Sequence, residues 1–188
     1  MLASSRTTLG STTHLVISMA RPHYRVVSED HERSRPIVEA HGLIVVVPSG
    51  WEVRLRRSLD DGEGVVSYPV VHAATVPLPP DRGDYGSNVV ESLGTHDVFV
   101  SLVEFGEEAV DTDLFPKVEA FPETIDASGF HPRQLQRLIP GQAGQQVFFT
   151  FGGRAFCLYV VLGSYAMVNQ VLPTVEGLLA GIAIAPSS

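Results

Sequence analysis

The chain has 188 residues, 44% of them hydrophobic and 18% charged, with 21 acidic side chains against 13 basic ones and a formal charge of −8. That is the size of one domain with a sizeable core, and it is not the composition of a disordered chain, a collagen or a disulfide scaffold. The acidic balance argues against nucleic acid as a partner, because holding phosphates requires a basic face.

Residues 1–40 lack sustained periodicity and are rich in Ser, Thr, Arg and His, so they are expected to form a flexible N-terminal arm, with Met19 as an alternative start. The apolar stretch 15–20 is short, contains Ser18 and lacks a processing motif. It does not read as an export signal, and the chain is expected to be cytoplasmic. The remainder, 41–188, reads as one α+β domain.

Leu43-Ile44-Val45-Val46-Val47 has the pattern of a strand buried on both faces, and Pro48-Ser49-Gly50 ends it in a turn. Trp51, Val53 and Leu55 then alternate with Glu52, Arg54 and Arg56, which predicts a half-buried strand with Trp51 on the core side, joined to the preceding strand by a hairpin or a sharp bend. A turn is expected at 60–64 and a strand over 65–76, with Pro69 at an edge, bulge or break because it cannot donate to a ladder. After a Pro/Gly/Asp loop at 77–86, residues 87–93 are expected to make a helical turn or two capped by Ser87.

The next strand spans 97–105, with Val98, Val100 and Leu102 on one side and Phe99, Val103 and Phe105 on the other. Residues 106–129 are acidic and punctuated by proline, hence a long surface excursion, and 131–138 suit a short helix with Pro132 at its first position. Two apolar runs flank Gly152-Gly153-Arg154 and predict a hairpin. Val168, Val171, Leu172, Val175, Leu178 and Leu179 recur at helical spacing, with Gly181 as the stop. Pro173 fits only if that helix starts a few residues earlier. The expected fold is a mostly antiparallel sheet of about five or six strands covered by helices, including the C-terminal one. Residues 155–185 carry only Glu176 as a charge, but Asn169, Gln170 and Pro173 interrupt the stretch and no membrane insertion is expected.

An apolar strand running into Pro48-Ser49-Gly50-Trp51, the Gly152-Gly153-Arg154 hairpin and the helix over 168–179 together resemble the PsbP-like fold, in outline across residues 42–185. Members of that superfamily are mostly binding or assembly proteins rather than enzymes. The resemblance therefore implies such a role, and it transfers no site residue. The chain departs from the periplasmic and lipoprotein branches in showing no clear signal peptide or anchor cysteine.

Motifs of chemistry are sparse. No Walker loop, Rossmann fingerprint or Gly-x-Ser-x-Gly elbow is present. Cys157, the one cysteine, lies in an apolar run and reads as a buried structural thiol, which excludes an internal disulfide and a thiolate metal cage. The seven histidines show no helical zinc spacing, and no metal or cofactor is expected. A pocket between the sheet and the acidic loop is the alternative that would make the chain a ligand binder or enzyme, with His72, His96, Asp97 and Glu104 as first suspects.

Charge is more telling. Residues 58–128 hold fifteen acidic side chains against two basic ones, and Glu104, Glu107, Glu108, Asp111 and Asp113 cluster within them. Solvation alone explains such a block; as a site it would dock a basic protein. Asp111 and Asp113 have neither the spacing nor the loop glycine of an EF-hand. Arg54, Arg56 and Arg57 are expected to keep a strand surface soluble. The hairpin is apolar on both faces, since Phe148 and Tyr159 need not point with Phe149 and Phe156; one face can pack under the helix, and the other is expected to need cover from another element or a partner. The favoured expectation is a non-catalytic protein-binding, adaptor or assembly module. A structural subunit whose arm orders on a neighbour is the third possibility.

Overall fold

A computed structural model describes residues 35–57 and 67–186. Residues 1–34 of the expected arm and the expected turn at 60–64 lie outside the described residues. The last residues assigned to the arm form strand β1 (Ile37–Ala40), which turns through His41 and Gly42 into β2 (Leu43–Val46). These two join β8 (Ile182–Ile184) in an antiparallel sheet ordered β1-β2-β8. In β2 Leu43 and Val45 are buried while Ile44 and Val46 are only half-covered. The expectation of burial on both faces is thus corrected. The small sheet covers its inner side alone, and one run of β-branched residues cannot report which side that is.

Pro48-Ser49-Gly50 lifts the chain from the small sheet into a larger one. Gly50 takes a φ of +83° and Trp51 N–H donates to the Pro48 carbonyl. Beyond the bend, β3 (Glu52–Arg57) shows the expected alternation, with Val53 and Leu55 buried and Trp51 beside them 9% exposed. It pairs with β4 (Pro69–Ala74), where Pro69 is the first residue. There its missing N–H costs little. The five-stranded antiparallel sheet is completed by β5 (Val98–Phe105), β6 (Ala143–Phe151) and β7 (Arg154–Leu162), in the order β3-β4-β5-β7-β6. The β6–β7 turn is Gly152-Gly153, with φ of +61° and +76°. Both residues being left-handed is the geometry that lets a two-residue turn follow the natural twist of the strands.

Helices are fewer than expected. Among the described residues one α-helix exists, α1 (Val168–Leu179), with Pro173 inside it as the spacing required. The stretches 87–93 and 131–138 make only single 3-10 turns, Val90–Ser92 and Pro132–Gln134. Ser87 caps no helix; its hydroxyl accepts from Gly83 N–H at 3.0 Å and tightens the loop before the turn. Both segments are short and flanked by Gly or Pro, so hydrogen bonds to neighbouring loops replace helical propagation.

The large sheet is buried on both faces. One face, with Val98, Val100, Leu102, Leu158 and Val160, packs with Leu43, Val45 and Ile182 of the small sheet and Val171, Val175 and Leu178 of α1. The opposite face carries Phe99, Cys157, Tyr159 and Val161 beneath Leu78, Val89 and Val90, with Leu135 and Ile139 alongside. The chain itself therefore supplies the cover that the hairpin's second face was expected to need. Irregular segments do this, which a search for helical or strand periodicity does not detect.

Candidate functional site

The acidic segment leaves β5 through Gly106 and a 3-10 turn, Glu107–Ala109. It is pinned by Thr150 on the edge strand β6. The Thr150 hydroxyl accepts from Asp111 N–H at 2.9 Å and donates to the Phe115 carbonyl at 2.8 Å, and Thr150 N–H donates to the Pro116 carbonyl at 2.9 Å. Phe115, 4% exposed, is the apolar anchor, lying 4.9 Å from Phe105 and edge-on to Phe148 at 5.4 Å. With backbone and anchor fixed, Glu107, Glu108, Asp111 and Asp113 face solvent, and Leu114 stands 59% exposed beside them.

Glu104 belongs elsewhere. Its carboxylate takes Arg154 Nε at 2.8 Å and Nη2 at 2.6 Å, a two-pronged ion pair with side chains 12% and 10% exposed. The remaining donors of Arg154 reach the carbonyls of His41 at 3.1 Å and of Gly42 and Ala185 at 3.3 Å. Arg154 also lies over the Phe156 ring, 5.3 Å from its centroid. One guanidinium thus clasps the large sheet to the β1–β2 turn of the small one and to the residue that follows β8. The clasp floors a cavity of about 350 Å³ between the sheets and the acidic segment, lined also by His41, Tyr68 and Glu107. His41 has its pKa lowered, first by burial and then by the Arg57 charge. Along the sequence Arg154 reads only as part of the hairpin turn, although a lone charge opening an apolar strand is a visible signal.

The two suspect histidines are not brought together. His72, fully buried on β4, is opposite Ser101, whereas His96 is exposed in the turn ahead of β5. Arg82 Nε donates to His72 Nδ1 at 2.8 Å, and since arginine only donates, Nδ1 is the bare nitrogen. Nε2–H then donates to the Asp84 carbonyl, also at 2.8 Å. Burial pushes the imidazole pKa down to about 3. Ser101 Oγ donates to the same carbonyl, and Arg56, half-buried rather than merely solubilising, pairs with the Asp84 carboxylate. This network straps the 82–84 loop onto the sheet. Asp97 serves structure too, accepting from Thr75 Oγ1 and from Gly94 N–H. Cys157 is buried and its thiol is pushed up to about 12, as a structural thiol should be.

Strapping that loop down opens a second cleft, about 320 Å³, whose walls include Tyr85, Val90, Leu135 and Gln136 with Tyr159 as its floor. Phe148 is packed against Phe115, and Tyr159 is 2% exposed with its ring edge-on to Tyr85 at 5.7 Å. Neither offers an open apolar face. Among the described residues no group of three or more His, Cys, Asp or Glu side chains is placed to hold a metal ion, and no helix is long and apolar enough to cross a membrane. In comparisons with protein families, curated proteins and solved structures, nothing matches the chain.

Proposed function

We propose that the chain is a protein-binding adaptor or assembly module that docks a basic partner through the segment 107–114. The carrying observation is the exposed Leu114 set beside four exposed carboxylates, Glu107, Glu108, Asp111 and Asp113, on a backbone held by Thr150 and Phe115. Rigid presentation lowers the ordering cost of binding, an exposed leucine supplies an apolar anchor, and the surrounding charge selects a cationic partner. The PsbP-like resemblance supports the same class of role. Arg56 and the Arg154–Glu104 pair serve cohesion, whereas Glu107, Glu108, Asp111 and Asp113 have no ion pair among the described residues.

The test is affinity purification from the native host of the wild type and of the variant Glu107→Lys/Glu108→Lys/Asp113→Lys, with Leu114→Ser alongside. Asp111 is left alone because its φ of +56° penalises a lysine for backbone reasons. A stoichiometric protein recovered with the wild type and lost from both variants, at unchanged circular dichroism, supports the assignment. Full retention in the triple variant discards it.

A further inference from the structure

The second cleft carries an inference independent of the acidic segment. We propose that it binds a small, uncharged, planar ring compound bearing a carbonyl oxygen, held by a hydrogen bond from the Tyr159 hydroxyl. Tyr159 is 2% exposed, and its hydroxyl accepts Gln136 N–H at 3.0 Å. Its own proton has no acceptor among the described residues. Tyr159 and Gln136 both line the cleft, so this unused donor lies at its inner wall. A buried donor without a partner is costly, and a ligand oxygen would remove that cost.

The other walls define the rest of the ligand. Val90 and Leu135 are apolar, and Tyr85 presents a half-buried ring set edge-on to Tyr159, so a flat ring packs with both. Both phenols are protonated at neutral pH and burial pushes their pKa values further up, Tyr85 to about 12, so each is able to donate to a ligand oxygen. Charge at the cleft is already matched: Asp84 pairs with Arg56, and Arg137 at the rim pairs with Glu91. A charged ligand would enter without a counter-ion, which selects against it. About 320 Å³ lies at the lower end of small-molecule sites.

The experiment uses the full chain and prodan, an uncharged propionylnaphthalene dye whose emission reports both the polarity around the ring and hydrogen bonding at its carbonyl. Saturable binding with blue-shifted emission is expected. Tyr159→Phe should weaken it by roughly three- to ten-fold, the worth of one neutral hydrogen bond, and Leu135→Trp, which fills the cleft, should abolish it. The carbonyl-free dimethylaminonaphthalene should bind the wild type correspondingly less well, a comparison that does not depend on any variant folding. Absence of saturable binding, or equal binding of the two dyes to the wild type, overturns the proposal. So does binding that Leu135→Trp leaves intact.

Discussion

Arg154 and His72 both sit among polar partners in the fold's interior, and they respond to different perturbations. Arg154→Ala leaves the Glu104 carboxylate mostly buried without its cation and removes the donors facing the His41, Gly42 and Ala185 carbonyls. Breaking a buried pair from one side costs about 3–5 kcal/mol, whereas replacing both partners with apolar groups costs far less. Urea denaturation should therefore find Arg154→Ala less stable than the double variant Arg154→Met/Glu104→Leu. The reverse order would remove the clasp from the account. His72 is tested by pH. Above its ordinary value of 6.5 the imidazole is neutral both folded and unfolded, so its titration contributes nothing. As pH falls from 6.5 towards about 3, the unfolded chain takes up a proton that the fold refuses, and stability declines throughout that window. The steepest slope from this group is about 1.4 kcal/mol per pH unit. In denaturation midpoints measured between pH 7 and 4, His72→Gln should start lower but fall less steeply than the wild type. Parallel slopes would mean that His72 is not the group responsible.

At the scale of elements, turn geometry and helix composition make separate predictions. Gly86 takes a φ of +81°, and a Cβ there would meet the Phe99 ring at 2.4 Å, so the loop crosses the sheet as bare backbone. Gly86→Ala should destabilise by more than the ~1–2 kcal/mol of left-handed strain alone, because the ring cannot retreat from its packed neighbours. A thermal midpoint within a degree of the wild type would contradict that close approach. Pro173 lies mid-helix and exposed, and it deprives α1 of one backbone hydrogen bond. Pro173→Ala is expected to stabilise by about 1–3 kcal/mol, since the helix gains a bond and a better helix former. Loss of stability would instead assign the proline a packing role.

At the scale of the fold, the described residues form a five-stranded sheet with the small sheet and α1 over one face and irregular chain over the other. The second layer is the weaker in regular structure, and both the acidic segment and the second cleft belong to it. Segments that lie on a sheet without helical or strand ladders are where local shape varies at least cost to the core. The docking proposed for the acidic segment would rest on exposed charge, so affinity for a basic partner should fall steeply between 0.05 and 0.5 M salt as the screening length contracts. Salt-insensitive association measured by calorimetry would transfer the contact to an apolar surface.

The local elements are legible in the chain because their signal is local. Trp51, Val53 and Leu55 alternate and form a half-buried strand, Gly152-Gly153 closes a hairpin, and the spacing from Val168 to Leu179 makes a helix around Pro173. The sequence also shows the acidic cluster, because charge is countable along a chain. Tertiary structure decided the rest. That β2 and β3 part into different sheets, that β8 returns to β2, and that residues 77–93 and 135–139 cover Tyr159 are all contacts distant in sequence. Glu104 left the acidic surface for the same reason: its cation, Arg154, is fifty residues away. Periodicity records which side of an element is apolar, but not which distant segment will cover it. Only the folded chain settles whether a residue such as Tyr159 is a core ring, a binding surface, or the floor of a cleft with a hydroxyl proton still to place.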